Sequence, residues 1–214
     1  NSASLAPIPA YETDSVMCTP GSESDDDGDS ISHSYGWLIN GVNINVAANY
    51  VDGSQFDKGD NVQCIVTPYD GTDTGTPVTS AGLVISNTAP TINSVIITPN
   101  RAQTLDDISC VANGVSDDDN DGVNLSYEWT INGQSAGVTL ATLSNTYFQR
   151  GDNITCTVTP NDGTDDGLSV TSSATTVLNT LPAIGSADLS PVQAYESSTL
   201  QCSPQSVTDP DNDT

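Results

Sequence analysis

Basic residues are nearly absent from this sequence. Three lysine and arginine residues stand against 28 aspartate and glutamate residues, which gives the 214-residue chain a formal net charge of −25. Such a charge repels nucleic acids and anionic membranes, so neither is an expected partner. Long apolar runs are also missing, and no stretch reaches the length of a membrane-spanning helix. We therefore expect no membrane insertion in this segment.

Histidine occurs once, at His33, and aromatic residues make up only 5% of the chain. His33 has no counterpart in the second half of the chain, so no serine-histidine-aspartate site can be built there. Carboxylates are abundant but cluster in loops, whereas glycoside hydrolysis needs a pair that flanks a cleft. We therefore expect no enzymatic activity.

What the sequence does contain is an internal repeat with a period of 92 residues. Residues in step include Cys18, Cys110 and Cys202; Cys64 and Cys156; Trp37 and Trp129; and Pro7, Pro99 and Pro191. A unit of this length can bury its own core, which favours tandem domains over a solenoid. The segments 87–90 and 179–182, Asn-Thr-Ala-Pro and Asn-Thr-Leu-Pro, are the expected linkers. We expect domains at 1–88, 89–180 and 181–214, the last being the N-terminal part of a third domain in a longer array.

Each repeat has the pattern of an all-β protein. In the second repeat, strands are predicted at Thr91–Thr98, 105–113, 125–131 and 154–159, with weaker strands between 134 and 149 and a last strand over 168–178. Alternation of apolar and polar residues supports these strands, and Asn132-Gly133 is a strong hairpin signal. About seven short strands in some 90 residues indicate a β-sandwich.

The order Cys110, Trp129, Cys156 follows the spacing of immunoglobulin-like sandwiches, and Cys18, Trp37 and Cys64 repeat it. In that fold a disulfide joins strands B and F, and a tryptophan on strand C packs against it. We predict disulfides Cys18–Cys64 and Cys110–Cys156, with the partner of Cys202 beyond Thr214. The alternative is a set of buried free thiols in a cytosolic protein. Disulfides would indicate a secreted or cell-surface location.

Four motifs together carry a family resemblance. They are the Asn-Thr-x-Pro linker, a Ser-Asp-x-Asp-x-Asp loop, a Tyr-x-Trp-x-x-Asn-Gly strand and a Val-Thr-Pro-x-Asp-Gly-Thr turn. This pattern resembles the tandem immunoglobulin-like repeats of large prokaryotic surface proteins, which are similar in style to PKD and cadherin-like repeats. The chain lacks the Trp-Asp-Phe-Gly-Asp-Gly motif of PKD domains, and unlike cadherins it has a cysteine pair. The resemblance implies tandem immunoglobulin-like sandwiches, and leaves open which surface role they serve.

The acidic loops are the candidate metal sites. Alternate positions keep an acid in all three repeats while the intervening positions vary, as expected where every second carboxylate turns inward to a hard cation. The B–C and F–G loops share one end of an immunoglobulin-like sandwich, so a second acidic loop should join each cluster. Oxygen-only donors favour Ca²⁺, and the alternative is a solvated turn. The predicted ligands are Asp25, Asp27, Asp29, Asp70, Asp73, Asp117, Asp119, Asp121, Asp162, Asp165, Asp209, Asp211 and Asp213.

The basic residues are expected at the opposite end of each sandwich from the acidic loops. On this basis Lys58 should face the acidic loops of the second repeat, and Arg150 should face Asp209, Asp211 and Asp213. Arg150-Gly151-Asp152 also spells an integrin-type tripeptide, but the favoured interpretation is a turn that needs glycine for positive φ and a short acid.

The sequence thus predicts a structural segment of an extracellular fibre, stalk or adhesin shaft made of calcium-stiffened immunoglobulin-like repeats. The expected partners are the neighbouring repeats, with other copies in a fibre or a cell-surface ligand in addition. The alternative function is a glycan- or surface-binding module of a secreted protein. An exposed aromatic platform would favour that alternative, and the tyrosines are scattered along the sequence.

Overall fold

The computed structural model describes residues 2–211, and nearly all of its regular structure is β-strand. The strands are β1 Ala3–Ala6, β2 Ala10–Tyr11, β3 Ser15–Pro20, β4 Ser32–Ile39, β5 Val42–Asn43, β6 Tyr50–Asp52, β7 Asn61–Tyr69, β8 Val78–Thr79, β9 Leu83–Ser86, β10 Thr91–Thr98, β11 Ile108–Ser116, β12 Asn124–Ile131, β13 Gln134–Ser135, β14 Thr142–Leu143, β15 Asn153–Asn161, β16 Val170–Thr171, β17 Thr175–Thr176, β18 Ala183–Ser190 and β19 Gln201–Thr208. A 3₁₀ turn covers Asn145–Tyr147. Across the described residues, no helix has the length and apolar character needed to cross a membrane.

The chain divides into two compact units, which follow the first two repeats except at two loops, and the third repeat belongs to the second unit. The first unit contains residues up to Pro90 together with the loops Ser116–Val123 and Asn161–Asp166. The second contains Thr91–Val115, Asn124–Pro160 and the chain from Gly167 onward. The acidic loops of the second repeat therefore belong to the same compact unit as the first repeat. The domain boundaries at 88/89 and 180/181 stay predictions.

The first unit is a sandwich of two sheets. One sheet has the strand order β1-β3-β6, and the other has the order β2-β9-β7-β4-β5 with β8 also on β7. The two sheets are the A-B-E and A′-G-F-C-C′ arrangement of an immunoglobulin-like domain. Cys18 of β3 and Cys64 of β7 form the predicted disulfide, across a Cα–Cα distance of 6.2 Å. Trp37 is fully buried beside them and donates its indole N–H to the Ala48 carbonyl at 2.9 Å.

The second unit repeats this arrangement. Its sheets have the orders β10-β11-β14 and β13-β12-β15-β16, with β17 also on β15. Cys110 and Cys156 form the second predicted disulfide, also with a Cα–Cα distance of 6.2 Å, and Trp129 is fully buried in the same core. The predicted all-β, immunoglobulin-like sandwich with a B–F disulfide is confirmed in both units. The predicted strand 168–178 is wrong as a continuous element, because it is divided into β16 and β17.

A serine side chain explains this division. The Ser172 hydroxyl accepts the Cys156 N–H at 3.1 Å, and the Ser172 N–H donates to the Cys156 carbonyl at 2.8 Å. Ser80 makes both contacts with Cys64 in the first unit. A buried side-chain oxygen thus replaces a backbone partner at the disulfide cysteine, where a buried N–H must be satisfied.

Two asparagine–aspartate pairs join turns within the units; we call each pair a turn clasp. Asn40 donates its side-chain amide to Asp60 at 2.6 Å and accepts the Asn61 N–H at 3.0 Å. Asn132 likewise donates to Asp152 at 2.7 Å and accepts the Asn153 N–H at 3.0 Å. Asn40 and Asn132 adopt positive φ at the predicted Asn-Gly turns. The turn clasps fix these turns against the start of strands β7 and β15.

The second unit also contains a hairpin from the third repeat, formed by β18 and β19. Leu189 faces Cys202 in this hairpin, the same register as Leu5 and Cys18 in the first repeat. Leu189 is 56% exposed, whereas Leu5 is 7% exposed. The hairpin therefore has the strand pairing of the other repeats without their buried core. Cys202 is exposed and forms no disulfide within the described residues, and its partner beyond Thr214 stays a prediction.

Candidate metal centre

The acidic loop of the second repeat is folded by its first carboxylate. Asp117 Oδ1 accepts the backbone N–H of Asp119 at 2.9 Å and of Asp121 at 3.2 Å. Asn120 between them has φ +60, a conformation that asparagine tolerates better than most residues. The loop therefore turns back on itself and gathers the side chains of the alternate acids. Carboxylate oxygens of Asp117, Asp119 and Asp121 lie within 4.8 Å of one another, and we call these three residues the acid triad.

Two oxygens of the acid triad are buried and make no hydrogen bond. They are Asp117 Oδ2 and Asp119 Oδ1. A buried carboxylate oxygen without a partner is costly, and native structures rarely retain one. A cation coordinated by these oxygens would remove this cost.

The linker contributes a residue that sequence analysis missed. The Thr88 N–H donates to Asp119 Oδ2 at 2.6 Å, and the Thr88 hydroxyl is a further buried oxygen without a hydrogen-bond partner. Thr180, 92 residues later, has the same unpartnered hydroxyl. The sequence signal for Thr88 is the Asn-Thr-x-Pro motif, which predicts a linker but does not single out its threonine as a ligand. Hydroxyl oxygens suit hard cations, so Thr88 joins the candidate ligands.

The second acidic loop, Asn161–Asp166, is hydrogen-bonded to the linker residue Asn87. Asp162 Oδ1 accepts the N–H of Thr164 at 2.6 Å and of Asp165 at 2.7 Å. The Asn87 side-chain amide donates to Asp162 at 2.8 Å and to Asp165 at 2.9 Å. The Asn87 hydrogen bond, reinforced by the Asp165 N–H, lowers the pKa of Asp162 to about 2. The assignment of Asp162 and Asp165 as metal ligands stays a prediction.

Lys58 provides the positive charge in this cluster. Its ammonium contacts Asp121 Oδ2 and donates to Asn87 Oδ1 at 2.9 Å. The side chains of Lys58 and Asp121 are 29% and 27% exposed, so solvent only partly screens the pair. The prediction that Lys58 faces an acidic loop of the second repeat is confirmed, and both residues lie in the first compact unit.

The same loop in the first repeat has the same backbone and a different environment. Asp25 Oδ1 accepts the N–H of Asp27 at 2.9 Å and of Asp29 at 3.1 Å, as Asp117 does for its own loop. In the second acidic loop of the first repeat, backbone hydrogen bonds, first from Asp73 and then from Thr72, lower the pKa of Asp70. Asp27 and Asp29 are exposed, while Asp119, which accepts the Thr88 N–H, and Asp121, which contacts Lys58, are half-buried. In the described part of the chain the acid triad is the group close enough to share one ion.

The third repeat shows part of the same pattern in the second unit. The Asp211 N–H donates to Asp209 at 2.9 Å, and Asp211 Oδ2 accepts the Thr180 N–H at 2.5 Å. A hydrogen bond from the Thr104 hydroxyl is the main cause of the lowered pKa of Asp211, and the charge of Arg150 contributes. Arg150 donates to Asn179 Oδ1 at 2.9 Å, as Lys58 does to Asn87. Asp213 lies outside the described residues.

The Arg150-Gly151-Asp152 tripeptide is a structural turn. Gly151 has φ +88, and both carboxylate oxygens of Asp152 accept hydrogen bonds, from Asn132 in the turn clasp and from the Gln149 N–H at 2.9 Å. Asp60 makes the equivalent bonds in the first repeat, where Lys replaces Arg. Receptor recognition would need an available carboxylate, so the geometry favours the turn.

His33, the single histidine, pairs with Glu23 at 2.6 Å.

Comparison of the sequence with protein-family models and with curated proteins finds no match. Among solved structures, the chain is similar to the crystal structure of the FN1–FN3 domains of chicken CNTN1. The identity is 10% and the TM-score is 0.34, over 95% of this chain and 74% of that one.

Proposed function

We propose that this chain is a structural segment of an extracellular fibre, stalk or adhesin shaft, in which immunoglobulin-like repeats are stiffened by Ca²⁺. The observation that supports this most directly is the hydrogen bonding of the Asn87-Thr88 linker to acidic loops of the following repeat. A linker whose residues Asn87 and Thr88 are both hydrogen-bonded to the next repeat resists bending and transmits force better than a free chain of four residues. The domains of the proposed array are 1–88, 89–180 and 181–214.

The chemistry of the acid triad supports calcium as the ion. Its donors are carboxylate oxygens, and the neighbouring unpartnered oxygen belongs to the Thr88 hydroxyl. Ca²⁺ binds sets of six to eight oxygens in flexible geometries, whereas Zn²⁺ favours histidine and cysteine. The ion would bind Asp117, Asp119 and Asp121 in the loop and Thr88 in the linker, which joins two segments far apart in sequence.

The disulfides support an extracellular location. Cys18–Cys64 and Cys110–Cys156 each join residues 46 positions apart, and such bonds persist in oxidising compartments. The high negative charge suits a soluble segment that does not adhere to nucleic acids or anionic lipids. The proposed partners are therefore adjacent repeats, with other copies or a surface ligand in addition.

Calorimetric titration with Ca²⁺ at neutral pH tests the binding. We expect the full chain to bind Ca²⁺, and the double variant Asp119→Asn, Asp121→Asn to lose the site at the first linker. Asp118→Asn is the matched control, because Asp118 is an exposed acid in the same loop. An unchanged titration in the double variant, or an equal loss in the control, would remove the calcium assignment.

A further inference from the structure

We propose that the Lys58 ammonium competes with the divalent cation for the acid triad. Lys58 pairs with Asp121 when no ion is bound, and it thereby lowers the affinity of the acid triad for the ion. This proposal rests on the proposed function, because it concerns the regulation of the same site. Under this proposal the linker is held to the acidic loop in one of two ways, by the Lys58 ammonium or by a metal ion.

The contacts place Lys58 at one corner of the acid triad. Its ammonium pairs with Asp121 Oδ2, while Asp117 Oδ2 and Asp119 Oδ1 have no hydrogen-bond partner. The ammonium therefore pairs with one carboxylate of the triad, and one oxygen of each of the other two, Asp117 Oδ2 and Asp119 Oδ1, stays without a partner. A divalent ion that takes all three carboxylates must share Asp121 with Lys58 or displace it.

The backbone around Lys58 is fixed, so its side chain is aimed at the linker. The Lys58 N–H donates to Glu12 at 2.6 Å, and the Gly59 N–H donates to the Ile85 carbonyl at 2.9 Å. The Asp57 N–H is held by Asp60 at 2.9 Å. The turn is thus anchored on three sides, while the four-carbon stem of lysine lets the ammonium move without the turn. Displacement of Lys58 by an ion needs only a side-chain rotation.

Charge determines the direction of the competition. Lysine carries a compact, strongly hydrated charge, and a divalent ion beside it is repelled. Without an ion, the same charge offsets the mutual repulsion of Asp117, Asp119 and Asp121. Removal of Lys58 should therefore weaken the contact between linker and acidic loop when no ion is bound. It should also tighten the binding of the ion.

The test compares the full chain with Lys58→Met in two measurements. Titration calorimetry with Ca²⁺ at low ionic strength should show about tenfold tighter binding in the variant, from the loss of one neighbouring positive charge. Thermal unfolding in chelator should show a lower midpoint for the variant than for the unmodified chain. Lys58→Arg keeps the charge and should stay close to the unmodified chain. Arg101→Met makes the same change of net charge at an exposed turn of the second unit and should change neither measurement.

The outcomes separate this proposal from the proposed function. If the unmodified chain binds Ca²⁺ and Lys58→Met binds equally or more weakly, Lys58 is a structural contact and the competition is refuted while the calcium site stands. If Lys58→Met alone binds, the competition is supported and calcium is removed from the native function. If neither binds, both proposals fail. An equal gain in Arg101→Met would show an effect of net charge alone and would refute the competition.

Discussion

At the scale of single residues, Asn87 connects more charged groups than any sequence pattern suggested. Its amide donates to Asp162 and Asp165, and its oxygen accepts from Lys58. One neutral side chain therefore bridges two carboxylates and an ammonium. Asparagine can do this because it offers donors and an acceptor at once.

The effect of Asn87 on Asp162 can be measured directly. Because the Asn87 hydrogen bond is the first cause of the lowered Asp162 pKa of about 2, Asn87→Ala should raise that pKa toward 3.8, the ordinary value. A lowered folded-state pKa stabilises the fold above the unfolded value, and this contribution is lost as pH falls from about 4 to about 2. Asn87→Ala should therefore flatten the acid side of the stability profile. Carboxyl NMR titration gives the pKa, and Asp70, whose pKa is lowered within its own loop, is the internal control. A constant Asp162 pKa would contradict the assigned cause.

At the scale of elements, the interrupted final strand shows how a side chain can replace a strand partner. Ser172 occupies the gap between β16 and β17 and satisfies the Cys156 N–H. Ser172→Ala should lower the free energy of unfolding by about 1–3 kcal/mol, because a buried N–H loses its acceptor. Ser173→Ala, at an exposed neighbour, should change it by less than about 0.5 kcal/mol. Denaturant unfolding of both variants is the measurement, and equal stabilities would show that water or the backbone replaces the hydroxyl.

Much of each element could be predicted from the sequence, for local reasons. The strand Thr91–Thr98 matches its predicted bounds, and the cysteine order identified both disulfides. The division at Ser172 could not be predicted, because alternation of apolar residues carries no information on which oxygen meets Cys156. The contact of Thr88 with Asp119 could not be predicted either, because it joins residues 31 positions apart in the sequence. The loops at Asp25 and Asp117 share one hydrogen-bond pattern and differ in exposure, because the second lies against the linker and Lys58.

At the scale of the whole molecule, calcium should change the spread of conformations rather than the fold. Small-angle scattering of the full chain should give a narrower distribution of interatomic distances with Ca²⁺ than with chelator, because the ion would join linker and loop. The Asp119→Asn, Asp121→Asn variant should show a smaller difference between the two conditions. Identical distributions for the unmodified chain in both conditions would show that the acidic loops do not control stiffness.

The turn clasps have a consequence for chemical durability. Asparagine followed by glycine is among the dipeptides most prone to deamidation in a flexible chain, because the next backbone nitrogen can attack the side-chain amide. Asn40-Gly41 and Asn132-Gly133 are such dipeptides, yet each asparagine amide is held at both its nitrogen and its oxygen by a neighbouring turn. The side chain is thereby kept from the rotation that attack requires. In the proposed extracellular location such damage would not be repaired, so the hydrogen bonds that shape these turns should also slow the chemical decay of the chain.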